Sequence, residues 1–117
     1  MPMKTILVVD DESAIIEVLR GLLEDEGYRV VSAANGYEGL ERVAQARPDL
    51  IISDVMMPRM GGVAFMHALR QDSSYATIPV VLASAAAPSA NGAAGFLGKP
   101  FDFDALLDLV RRLTNDA

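Results

Sequence analysis

A chain of 117 residues with 51% apolar and 22% charged side chains can bury a core of its own, and its balance is globular rather than disordered. It has no cysteine, which excludes disulfides, thiolate catalysis and cysteine-ligated zinc. A net charge of −6, a sequence pI of about 4.6 and the lack of a basic cluster argue against direct contact with nucleic acid.

The opening "MPMKTILVVDDES" meets acidic residues too early for a secretory signal. The longest nearly uncharged run, residues 73–98, is broken by prolines, glycines and polar residues, so no membrane span is expected. The expectation is one domain over residues 1–117, located in the cytoplasm and without membrane contact.

Taken in chain order, strand-like and helix-like stretches alternate. "KTILVVD" (4–10) is a short β-rich run bounded by acids. "SAIIEVLRGLLEDEG" follows with Ile15, Val18, Leu19, Leu22 and Leu23 at helical spacing, Ser13 as a candidate N-cap and Gly27 as a terminator. "YRVVSA" (28–33) is the next strand. "GYEGLERVAQA" (36–46) is the next helix, with Tyr37, Leu40, Val43 and Ala44 on one side. "DLIISD" (49–54) is strand three, and "GVAFMHALRQD" (62–72) is a third helix carrying Val63, Met66, Leu69 and Arg70 on its periodicity. "PVVLAS" (79–84) and "AGFLGK" (94–99) are strands four and five. "DFDALLDLVRRL" (102–113) closes the series with Leu106, Leu107, Val110 and Leu113 as its apolar stripe.

Alternating β and α segments with continuous apolar strands predict an α/β protein, a parallel sheet covered by helices on both faces. With right-handed crossovers, five such units give a doubly wound five-stranded sheet of order 2-1-3-4-5. One segment breaks the rhythm. Between strands four and five, "AAAPSANGAA" (85–94) offers small residues, a proline and an Asn-Gly pair where a full helix belongs.

Ligands of such sheets gather beyond the carboxyl ends of the strands, where the strand order reverses. The sequence places Asp10 and Asp11 there after strand one, Asp54 after strand three, Ser84 after strand four and Lys99 after strand five. Each has an ordinary reading. An Asp-Asp pair before a helix caps it and complements its dipole, Asp54 can cap a turn, and Lys-Pro is a common loop. Their joint placement favours chemistry. Clustered carboxylates repel and raise one another's pKa unless a cation intervenes, and an oxygen-seeking divalent ion such as Mg²⁺ suits them. Lys99 adds a positive point charge, Ser84 a small donor and Asp54 a nucleophile, the parts of a phosphoryl-transfer site.

"ILVVDDES", "DLIISDVMMPRMGG" and "FLGKPF" together resemble the three signature segments of the response-regulator receiver domain of two-component signalling, over nearly the whole chain. The resemblance implies a flavodoxin-like fold and Asp54 as phospho-acceptor. It implies Mg²⁺ held by Asp10, Asp11, Asp54 and the backbone carbonyl of Met56, with Lys99 contacting the phosphoryl group. Ser84 would move to hydrogen-bond that group while Phe96 swings inward, and the Lys99–Pro100 bond would be cis. A sensor histidine kinase or phosphotransfer protein would supply the phosphoryl group, and an output domain or target protein would read the change. The only enzymatic chemistry implied is self-phosphorylation and self-dephosphorylation.

Pro58 and Gly62 fit as scaffold of the loop after Asp54, and His67 as an exposed helix residue. Three departures from the family pattern stand out. Gly61 replaces a frequent aspartate, which should loosen the start of the third helix. Ser84 and Lys99 are fifteen positions apart, short of the family spacing by about two helical turns, so a shortened fourth helix and an altered output face are expected. Met56 and Ala86 put apolar side chains where the family influences phospho-aspartate hydrolysis.

Rival functions fit less well. Haloacid dehalogenase-like phosphatases need Asp-x-Asp after strand one, flavodoxin-like electron carriers need a Ser/Thr-rich loop there, and the GxxxxGK[ST] and GxGxxG nucleotide loops are absent. The strongest alternative is a phosphorylation-independent, receiver-like interaction module.

Overall fold

The computed structural model describes residues 3–85 and 92–115. Five parallel strands, β1 (Thr5–Val9), β2 (Arg29–Ala33), β3 (Leu50–Asp54), β4 (Val80–Ser84) and β5 (Gly95–Gly98), form one sheet in the order β2-β1-β3-β4-β5. Among the described residues there are four helices, α1 (Ser13–Asp25), α2 (Gly36–Ala46), α3 (Gly62–Arg70) and α4 (Phe103–Thr114). The doubly wound architecture expected from the sequence is the one observed.

The central strands are buried on both faces, which is why they read as apolar runs without polar alternation. Successive side chains still point to opposite sides. Ile6, Val8, Leu50, Ile52, Val81 and Ala83 face one core, completed by Leu19 and Leu23 of α1 and by Leu106 and Val110 of α4. Leu7, Val9, Ile51, Val80 and Leu82 face the other, closed by Val43 of α2 and by Phe65, Met66 and Leu69 of α3.

Several details differ from the sequence expectation. The N-cap of α1 is Glu12 rather than Ser13, and its own side chain makes no capping bond. The Asp10 carboxylate takes that part instead, accepting from Glu12 N–H at 2.9 Å. Val18 and Ala44 lie on exposed faces, and Tyr37 is half exposed, because the amphipathic stripes of α1 and α2 are narrower than their apolar content. Gly27, at φ 92°, ends α1 as expected. Gly61 caps α3 without a side-chain bond, as its lack of a side chain dictates.

The expected shortened helix falls largely on residues 86–91, and with Ala86 it lies outside the described residues. The flanking residues 85 and 92–94 are not helical. From Ala85 to Ala94 the connection between β4 and β5 has ten residues, fewer than the dozen or so that a helical crossover uses. Arg70 reaches its far end, donating to the Ile78 carbonyl at 3.1 Å and to the Gly92 carbonyl at 3.2 Å.

Phe65 is fully buried and packs against Gly39 of α2, where an added Cβ would lie 2.9 Å from its ring. Phe65→Ala is expected to cost about 3–5 kcal/mol, read as a lower urea midpoint with an unchanged slope. A cost under about 1 kcal/mol would show that α3 does not anchor this core.

Candidate functional site

Strand register assembles the site. Val9 pairs with Ser53, so the next residues, Asp10 and Asp54, emerge side by side at the point where β2 and β3 diverge around β1. Asp54 pairs with Ala83, and Ser84 with Gly98, so Ser84 and Lys99 follow at the same edge. Lys99 N–H donates to the Ser84 carbonyl at 3.0 Å, which carries the ladder one residue further.

The Lys99 ammonium lies 2.8 Å from Asp10 Oδ2 and 3.3 Å from Asp54 Oδ1. Asp10 and Asp54 are 3% and 7% exposed, so the ammonium neutralises carboxylates that water reaches poorly. Asp11, Glu12, Asp54, Met56, Ser84 and Lys99 line one cleft of about 360 Å³. Ser84 is buried, whereas Met56 is 76% and Phe96 43% exposed. The Lys99–Pro100 bond is cis.

The residue that the sequence reading missed is Glu12. Its carboxylate gathers with those of Asp10 and Asp11, with one oxygen of each within 4.8 Å of the others. The adjoining "DDE" was the available signal, but adjacency alone does not show that three consecutive side chains can converge at the mouth of a helix. His67 is exposed on α3 and stands apart from the cleft.

The backbone approaches closely behind Asp54. Ser53 Oγ donates to the Asp54 carbonyl at 3.0 Å, and Gly62 N–H donates to the Val55 carbonyl at 3.0 Å. A Cβ on Gly62 would overlap the Asp54 carbonyl oxygen, so only glycine lets α3 begin directly beneath the acid.

Burial raises the Asp54 pKa above its ordinary 3.8, as does the charge of Asp10; Lys99 opposes both but does not cancel them. Lys99 is itself raised: burial lowers it, but its hydrogen bond to Asp10 and the charges of Asp10 and Asp54 outweigh that. The two shifts act oppositely on stability. Lys99 stabilises the fold at all pH below its ordinary 10.5, and that contribution is lost as pH rises through its raised folded value. Asp54 is held protonated more tightly in the folded state, so its ionisation costs stability as pH rises above 3.8. Asp54→Asn is therefore expected to unfold at higher urea than the parent at neutral pH. The advantage should shrink as pH falls through the raised folded value toward 3.8 and be gone below it, and a pH-independent difference would count against the raised pKa.

Known proteins resemble this chain in sequence and in fold. A family model described as the response regulator receiver domain matches residues 6–111. The response regulator Rre1 of Synechocystis sp. is 38% identical over 117 residues, covering 93% of this chain and 51% of that protein. The DNA-binding dual master transcriptional regulator RpaA of the same organism is 36% identical over 118 residues, covering 95% and 49%. The chain thus spans about half the length of these curated relatives. The structure of the Vibrio cholerae chemotaxis protein CheY4 superposes with a TM-score of 0.89 at 38% identity, covering 96% of this chain and 99% of that one. The chain belongs to the receiver domains of response regulators, the phospho-accepting modules of two-component signalling.

Proposed function

We propose that Asp54 is the phospho-acceptor and that Lys99 and Ser84 bind the group it receives. The observation that carries this reading is the Lys99 ammonium bridging Asp10 and Asp54 from a third strand, at 2.8 and 3.3 Å. A carboxylate oxygen of Asp54 attacks phosphorus, the P–N bond of a donor phosphohistidine breaks, and the electron pair leaves on the imidazole, which takes a proton. Burial and neighbouring acids destabilise the Asp54 charge in the resting state. Transfer moves charge onto phosphoryl oxygens at the cleft, where the Lys99 ammonium and the Ser84 hydroxyl can meet it.

The donor set fits a hard divalent cation. It is all oxygen, it concentrates carboxylates at one cleft, and one member, Asp54, has its pKa raised first by burial and then by the charge of Asp10. Asp10, Asp11, Asp54 and the Met56 carbonyl would hold Mg²⁺, with Glu12 close by. When bound, the ion supplies positive charge against the phosphoryl oxygens. Ser84 and the half-exposed Phe96 form the switch: Ser84 lines the cleft at the end of β4, and Phe96 lies on the neighbouring strand β5, whose end is hydrogen-bonded to that of β4.

The donor is a sensor histidine kinase or phosphotransfer protein, and an output domain or target protein reads the switched surface, in keeping with relatives about twice as long. A cytoplasmic location suits an acidic chain in which no described helix is long and apolar enough to cross a membrane. Direct nucleic-acid contact by this chain does not suit its charge.

Incubation with acetyl phosphate and Mg²⁺ is expected to add one phosphoryl group to the intact mass, and both EDTA and Asp54→Asn should abolish it. Absence of an adduct in the parent would favour the phosphorylation-independent binding module. The exposed thioether of Met56 cannot hold an attacking water by hydrogen bonds as an amide can. Met56→Asn should therefore shorten the phosphoryl lifetime several-fold by the same mass assay. An unchanged decay would remove Met56 from the control of hydrolysis.

A further inference from the structure

The loop from β3 to α3, residues 55–61, bends at an uncommon place. Met60 N–H donates to the Pro58 carbonyl at 2.8 Å, and Arg59 between them has φ 72°. A three-residue ring closed around a residue of positive φ is the rarer, strained form of γ-turn. Arginine gains nothing locally from that conformation, which persists only where the surroundings over-determine it.

The surroundings here are the first two residues of α2. Gly36 N–H donates to the Met60 carbonyl at 3.0 Å, and the missing side chain of Gly36 admits Met60, whose Cγ would stand 2.5 Å from an added Cβ. The Arg59 guanidinium carbon sits 5.9 Å from the centroid of the Tyr37 ring, within cation–π range. Both partners are exposed, so the pair buries little and adds little to global stability. What it fixes is local. Val55 N–H is tied to the Ala83 carbonyl, and Gly62 N–H to the Val55 carbonyl, both at 3.0 Å. Met56 and Met57 therefore hang between an anchor on the sheet and the turn held by α2.

We infer that Arg59 and Tyr37 are positioning residues for the metal: their clasp sets the Met56 carbonyl at the height above the cleft that a divalent cation requires. This rests on the reading of Met56 as a backbone ligand. The molecule supplies its own control. At the opposite edge of the sheet Arg47, also at positive φ (47°), stands 5.9 Å from the ring of Tyr75. That pair joins α2 to the segment after α3 in the same manner but lies far from the cleft.

The test is a Mg²⁺ titration of the full chain without a phosphodonor, followed by the amide NMR shifts of Asp11 and Met56, with thermal midpoints measured alongside. Tyr37→Ala and Arg59→Gly are expected to raise the Mg²⁺ half-saturation about two- to five-fold, the range an exposed cation–π contact is worth. Arg59→Gly also relaxes and loosens the turn, so Tyr37→Ala, which leaves the turn's own residues unchanged, is the variant that isolates the contact. The double variant should be no worse than either single one. Tyr37→Phe keeps the ring and should bind like the parent, as should Arg47→Ala. Parental half-saturation in both Tyr37→Ala and Arg59→Gly would overturn the clasp alone. So would an equal loss in Arg47→Ala, or a loss matched by a fall in the thermal midpoint. A parent chain whose Asp11 and Met56 amides ignore Mg²⁺ would overturn the ligand reading and the clasp with it.

Discussion

The contact on which the carboxyl edge of this sheet depends is the one between the Lys99 ammonium and the carboxylates of Asp10 and Asp54. Two acids come from adjacent central strands and the cation from the edge strand, so no two of the three are near in sequence. A buried carboxylate without a partner costs several kcal/mol, and removing one member of a buried pair typically costs about 3–5 kcal/mol. The sheet therefore closes at this edge only if β5 delivers its lysine. That requirement helps explain why β5 is in the sheet although its burial is poorer than that of its neighbours. The Lys99 N–H to Ser84 carbonyl bond extends the ladder to hold the lysine there.

The same charge balance leaves the site short of positive charge. One ammonium faces Asp10 and Asp54, with Asp11 and Glu12 a short distance beyond, and burial together with the charge of Asp10 leaves the pKa of Asp54 raised. A fold that merely needed to close its edge would gain by replacing one acid with an amide. Keeping the acids is a cost to stability that a cation or a phosphoryl group bound with one can offset. The stability of the empty site and its capacity to bind are opposed, and the intermediate charge state is where the two meet.

Much of this was legible in the sequence because strand ends are legible. Apolar runs terminated by Asp10, Asp54, Ser84 and Lys99 locate four ends, and a parallel sheet of the expected order brings four ends to one edge without further information. What failed to show depends on side-chain direction. Val18, Tyr37 and Ala44 satisfy helical periodicity yet face solvent, because a helix lying on a sheet buries a narrower stripe than a periodicity count includes. Phe65 went unnoticed beside Met66 for the converse reason: neighbouring apolar residues on one helix do not announce which is central. Capping of α1 from Asp10 rather than Ser13 depends on a chain turn that composition does not specify.

The structure also divides the site by stiffness. Asp10, Asp54 and Lys99 stand at the ends of hydrogen-bonded strands, where backbone position is set by the sheet. Met56 stands on a loop whose position is set by three contacts reaching it from elsewhere: the Ala83 carbonyl, Gly36 and Tyr37. Ser84 stands between the two regimes, last in its strand and first before a ten-residue connection that α3 grips at Gly92 through Arg70. Groups that hold charge in place need the sheet's precision, whereas groups that must report a change of charge need a backbone able to move. Helix α3 serves both kinds of group. Its first residue lies beneath Asp54, and its last holds the far end of the segment that begins beside Ser84. The same nine-residue helix thus supports the backbone behind Asp54 at one end and grips Gly92 at the other.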